Sequence, residues 1–130
     1  MSGLGHILVV EDNADLRGAL ATLLESEGHQ VIEAADGRLA LEALASSIRV
    51  RLVILDLMMP VMDGPTFLAH KALGPHAAVP IVIFSSSPSA ALESWPCVVC
   101  TVPKLDGIDG LLRAIRDIDG TAAVAGAMHE

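Results

Sequence analysis

Short apolar runs alternate with amphipathic stretches along the chain, the signature of strands alternating with helices around a mostly parallel sheet. His6 to Val10 is the first run. From Asn13 to Glu27, Leu16, Leu20, Leu23 and Leu24 recur at i, i+4, i+7 and i+8 while Arg17, Glu25 and Glu27 fall elsewhere, and Gly28 supplies a helix stop. Gln30 to Ala34 reads as a second strand, and after the Asp36-Gly37 turn Leu41, Leu44, Ala45 and Ile48 repeat at helical spacing. Arg51 to Leu55 shows no alternation, as expected for a strand covered on both faces. Asp63-Gly64-Pro65 then places an N-cap ahead of a proline near the first helical position, opening a helix through Phe67, Leu68 and Leu73. Val79 to Phe84 and Cys97 to Val102 are the fourth and fifth strands. Between them Ser87 to Ser94 holds little more than two turns before Trp95-Pro96, so the fourth helix is shortened or irregular. The last helix runs from about Ile108 to Ile118. The pattern predicts an α/β fold, a (βα)₅ doubly wound five-stranded parallel sheet.

At 130 residues the chain has room for one domain, taken as 1–120, with 121–130 a small-residue flexible tail. The composition, 52% apolar and only 18% charged, excludes a disordered linker. A formal charge of −8 repels phosphate backbones and anionic headgroups, which argues against direct nucleic-acid or membrane-surface binding. No apolar stretch reaches the ~18 residues of a membrane span, and Met1 to Asp12 has neither a basic region nor a cleavage site, so a cytoplasmic location is expected. Cys97 and Cys100 form a C-x-x-C, but in a strand positions three apart point to opposite faces, which disfavours a redox pair or shared metal. The five histidines lack ligand spacing.

In an open parallel sheet, ligands bind beyond the carboxyl ends of the strands near the switch in strand order. Glu11 and Asp12 stand at the end of the first strand, Asp56 at the end of the third, Ser85 at the end of the fourth, and Lys104 follows the fifth. Unit charges ~5 Å apart at an effective dielectric of ~20 repel by ~3 kcal/mol, so three carboxylates there need a counterion or raised pKa values. Hard oxygen ligands that leave open positions suit Mg²⁺, with Mn²⁺ able to substitute, and Mg²⁺ bridges readily to phosphate oxygens. The plainer alternative makes Asp12 and Asp63 helix N-caps, Glu11 a solvated loop acid and Lys104 a surface lysine. Taken together those readings explain less, because Lys71 is the only other lysine and the charged groups fall at strand ends.

From His6 to Ile118 the chain resembles the receiver domains of two-component response regulators, the CheY-like superfamily with a flavodoxin-like fold. The residues that carry the resemblance are Ile7-Leu8-Val9-Val10-Glu11-Asp12, the stretch Asp56-Leu57-Met58-Met59-Pro60-Val61-Met62-Asp63-Gly64, then Ile81-Val82-Ile83-Phe84-Ser85, and Lys104. The resemblance implies that Asp56 accepts a phosphoryl group from the phosphohistidine of a histidine kinase or phosphotransfer protein. It further implies that Glu11, Asp12, Asp56 and the Met58 carbonyl hold Mg²⁺, that Lys104 pairs with the phosphoryl oxygens, and that Ser85 donates its hydroxyl to one of them. Such a chain catalyses only its own phosphorylation and dephosphorylation, acts on a downstream protein, and is a monomer or weak dimer. The alternative is a degenerate receiver that works as a phosphorylation-independent interaction module.

Two departures bear on that choice. Receiver domains usually carry proline after the lysine, in a cis peptide, where this chain has Leu105. A non-proline cis bond costs ~2.5–4 kcal/mol against ~0.5–1 for X-Pro, so Lys104-Leu105 is expected to be either strained or trans with the lysine displaced. The aromatic residue often found three positions before the lysine is Thr101 here, so an aromatic rotamer switch cannot run in its usual form. Trp95 is read as a packing anchor.

Overall fold

A computed structural model describes residues 5–57, 62–86, 95 and 97–128, with side chains described as far as residue 120. Five parallel strands, β1 (His6–Val10), β2 (Val31–Ala34), β3 (Val50–Leu55), β4 (Ile81–Ser85) and β5 (Val98–Pro103), form one sheet in the order β2-β1-β3-β4-β5. The described helices are α1 (Ala14–Ser26), α2 (Gly37–Ala45), α3 (Gly64–Ala72) and α4 (Gly107–Met128). The doubly wound parallel sheet is the one the hydrophobic pattern predicts, the flavodoxin-like fold is the one the family resemblance implies, and the strand order switches direction between β1 and β3. The expected fourth helix, Ser87 to Ser94, lies outside the described residues.

Both faces of the sheet are covered, which is why β3 lacks alternation. Leu8, Val10, Val53, Leu55 and Ile83 pack on one face with Ala40 and Leu44 of α2 and Phe67 and Leu68 of α3. Ile7, Val9, Leu52, Ile54 and Phe84 pack on the other with Leu20 and Leu24 of α1 and Leu111 and Ile115 of α4. Cys97 belongs to the first layer and Cys100 borders the second, on the other face of the sheet, and the two form no disulfide. Trp95 packs against the first layer, the anchoring role expected of it.

Local signals decide most helix ends. Asp63 caps α3, its Oδ1 accepting from Thr66 N–H at 2.9 Å, with Pro65 at the start of the helix. At the end of α1, Gly28 N–H donates to Glu25 O at 3.0 Å and His29 N–H to Leu24 O at 3.1 Å, a Schellman pair. Apolar periodicity overran two ends. Ile48 and Leu73 sit beyond α2 and α3 and are 43% and 90% exposed, because neither faces the sheet. The last helix runs past Ile118 to Met128, through an alanine-rich stretch whose helix propensity outweighs Gly120 and Gly126.

The last helix is also tied to the amino end of the sheet. Arg51 of β3 donates Nη1 to Asp119 Oδ1 at 2.9 Å, and its Nη2 lies 2.9 Å from Nδ1 of His29. A guanidinium can only donate, so Nδ1 is the acceptor and must be unprotonated. Burial and the Arg51 charge lower the His29 pKa, opposed by Asp119 and Glu27. An imidazole with a lowered folded-state pKa binds fewer protons folded than unfolded as pH falls below ~6.5, so stability is lost with acidification across that range. The expected result is a urea midpoint that falls more steeply between pH 7.5 and 5.5 in the wild type than in His29→Gln; parallel slopes would disprove it.

Candidate functional site

The register brings the chemistry-bearing residues to the carboxyl edge of the sheet. Val10 pairs with Leu55, and Asp56 N–H donates to Val10 O at 3.0 Å, which sets Glu11 beside Asp56 at the strand-order switch. Ser85 ends β4 fully buried, one register step beyond Asp56, and pairs with Pro103, the residue before Lys104. Glu11 and Asp56 are 2% and 4% exposed, so Glu11 is no solvated loop acid.

Asp12 is not a helix cap either. Asn13 takes that role, its Oδ1 accepting from Leu16 N–H at 3.0 Å, which leaves the exposed Asp12 carboxylate to the site. Glu11, Asp12 and Asp56 can each present an oxygen such that all three lie within 4.8 Å of one another. These hard, anionic oxygens, two of them nearly out of water, fit a small divalent cation. Met58 lies outside the described residues.

Lys104 closes the site. Its Nζ lies 2.8 Å from Glu11 Oε1 and 3.3 Å from Asp56 Oδ2. The Lys104-Leu105 bond is trans, one of the two expected outcomes, and the lysine still reaches both carboxylates from it. A 3-10 turn over Lys104–Asp106 supplies the bend, and it joins α4 through Gly107 at φ +73 and ψ −178, a conformation open essentially to glycine alone. Leu105 pays for the turn in exposure, at 97%.

The electrostatics follow from that geometry. Burial raises the Glu11 pKa, more than the hydrogen bonds from Lys104 and from Asn13 N–H lower it, and the Asp56 charge adds to the rise. Burial opposes the Lys104 charge, but the bond to Glu11 and the charges of Asp56 and Glu11 prevail and hold its pKa above the ordinary lysine value. The ammonium thus acts as a counterion shared between two carboxylates.

The β3–α3 connection returns at Gly64, whose N–H donates to Leu57 O at 3.0 Å. A Cβ there would stand 2.7 Å from Leu57 Cδ2 and 2.8 Å from Leu57 Cα, next to Asp56. Gly64→Ala is therefore expected to destabilise the fold by ~1–3 kcal/mol, read as a lower urea midpoint, because backbone must move and not only a side chain. An unchanged midpoint would contradict this close approach.

Comparison with known proteins agrees with the geometry. The family model of the response regulator receiver domain matches residues 7–94. The chain belongs to this family. A receiver domain is a signalling module of two-component systems. This one is 33% identical over 124 residues to a protein-glutamate methylesterase/protein-glutamine glutaminase of Cereibacter sphaeroides, a match covering 89% of this chain and 33% of that protein. The receiver domain thus spans about a third of the length of that relative. Among solved structures, a response regulator receiver protein from Pseudomonas putida superposes with a TM-score of 0.79 at 27% identity, covering 90% of this chain and 99% of the other. The response regulator TrrA of Thermotoga maritima, solved in complex with Mg(2+)-BeF, gives 0.74 at 26% identity, covering 87% and 97%. Among the described residues no helix is long and apolar enough to cross a membrane.

Sequence reasoning missed two cations of this receiver domain. Lys71 is 2% exposed in the core, donating to Ala77 O at 3.0 Å and Val79 O at 2.7 Å; burial lowers its pKa, against the raising effect of the neighbouring Cys97. Arg17, read only as a residue off the apolar face of α1, reaches back to the β1–α1 loop. No periodicity signals these contacts, since the acceptors of all three hydrogen bonds are backbone carbonyls.

Proposed function

We propose that this receiver domain accepts a phosphoryl group on Asp56 from the phosphohistidine of a histidine kinase or phosphotransfer protein in the cytoplasm, and thereby switches a protein-interaction surface. The observation that carries the reading is the placement of Lys104 Nζ within 3.3 Å of both Glu11 and Asp56 despite the missing proline. A degenerate module would have no need to keep two buried carboxylates and their shared cation together at this edge.

In the transfer an Asp56 oxygen forms the new P–O bond while the P–N bond to the imidazole breaks, and the electron pair stays on that nitrogen. The transferring group spreads negative charge over its equatorial oxygens, and Lys104 is placed to turn from Glu11 towards them. Glu11, Asp12 and Asp56, with the Met58 carbonyl, would hold Mg²⁺ or Mn²⁺, which when bound supplies further positive charge to those oxygens. Ser85, at the neighbouring strand end, would donate its hydroxyl to one of them. The product carries added negative charge and new acceptor oxygens, which bias the surrounding loops between two arrangements. With Thr101 in β5, that bias reaches the surface without an aromatic rotamer switch.

The test is incubation with acetyl phosphate and Mg²⁺ followed by peptide mass mapping. The expected product is one HPO3 unit on the peptide containing Asp56. No adduct, or an adduct elsewhere, overturns the proposal and favours a phosphorylation-independent interaction module.

A further inference from the structure

The peptide that joins Glu11 to Asp12 is held from outside the acidic cluster. Arg17, in the first turn of α1, donates Nη1 to the backbone carbonyl of Glu11 at 2.8 Å. Its Nε lies 3.3 Å from Oε1 of Glu33, on the adjoining strand β2, and its side chain is only 19% exposed. One guanidinium therefore clasps the β1–α1 loop to the end of β2. The other restraints on this loop act on different atoms: Glu11 N–H donates to Ala34 O at 3.1 Å, Asn13 N–H to Glu11 Oε2 at 3.1 Å, and Leu16 N–H to Asn13 Oδ1 at 3.0 Å. The orientation of the Glu11 carbonyl sets the plane of the peptide between the two acids, and so the directions in which their side chains leave the chain.

We propose that Arg17 is a positioning residue for divalent-cation binding: it locks the Glu11–Asp12 peptide so that these carboxylates converge with Asp56, while Glu33 holds the guanidinium in place. The inference rests on the receiver reading above. Groups that orient metal ligands from behind typically cost ~10–100-fold in metal affinity when removed. The sign of the effect separates positioning from charge. A guanidinium near a cation site repels the cation, so loss of its charge alone would tighten binding. Loss of a clamp weakens it.

The experiment is titration of the protein with Mn²⁺, free metal being read by electron paramagnetic resonance, with folding of each variant checked by circular dichroism. It uses no phosphodonor. Arg17→Gln is expected to raise the Mn²⁺ Kd by ~10-fold or more. Arg17→Lys, which keeps the positive charge but lacks the planar fork that bridges the Glu11 carbonyl and Glu33, is expected to produce a smaller rise in the same direction. If the wild type binds Mn²⁺ and Arg17→Gln binds equally or more tightly, the positioning role is wrong while the receiver reading stands. If the wild type binds no Mn²⁺, the cation site of the receiver reading fails, and this inference with it. Should Arg17→Gln fail to fold, Arg17→Lys decides: unchanged or tighter binding overturns the role, and weaker binding with the charge conserved supports it.

Discussion

Asp56→Asn, incubated with acetyl phosphate and Mg²⁺ under conditions that modify the wild type, is expected to yield no adduct at all. The substitution is nearly isosteric, so the β3 backbone and its hydrogen bond to Val10 O persist. What disappears is the nucleophile, because an amide has no anionic oxygen to form an acyl phosphate. A second readout follows from the charge. Asp56 is one of the causes that raise the Glu11 pKa, so Glu11 is expected to titrate at lower pH in the variant, measurable from its carboxyl carbon by nuclear magnetic resonance. Persistence of the adduct would remove Asp56 from the reaction, and an unmoved Glu11 would deny the proximity of the two acids.

Lys104→Ala is expected to act on both chemistry and stability. Removing one preorganised cation from a developing phosphoryl charge costs ~10²–10³-fold in rate by analogy with oxyanion donors, so adduct formation should slow by that order. Without added metal, Glu11 and Asp56 also lose their shared counterion. Leaving one member of a fully buried pair unpaired costs ~3–5 kcal/mol, and a smaller loss of about 1–3 kcal/mol is expected here because a quarter of the lysine side chain meets water. The raised Lys104 pKa means that this stabilisation is fully present below the ordinary lysine value and is lost only as pH rises through the raised one. At pH 7 the urea midpoint should therefore fall in the variant, and Mg²⁺ should restore more stability to it than to the wild type. A variant with wild-type phosphorylation and wild-type midpoint would show the lysine to be idle.

Elements governed by local or periodic forces were legible in the chain alone. The five strands were found to within about two residues because each is an apolar run bounded by polar or turn residues, and both faces of a wound sheet demand such runs. Asp63 could be read as an N-cap because capping involves only the next three residues. The same local logic left a cap role open for Asp12, since Asn13 beside it caps equally well and only the path of the loop chooses between them. Periodicity likewise carried Ile48 and Leu73 into helices, because it records an apolar spacing and not the surface that spacing meets.

By itself, then, the sequence determined the wound parallel sheet, and with it the gathering of Glu11, Asp12, Asp56, Ser85 and Lys104 at one edge, since strand ends in such a sheet share a side. Tertiary structure decided how charged each group can be and what it touches. The burial of Glu11, the reach of Lys104 from a trans turn, the Arg17 clasp and the Arg51–Asp119 link across 68 residues all depend on distances between segments remote in sequence. Coulombic and hydrogen-bond energies vary steeply over an ångström or two, and no spacing along a chain encodes that scale.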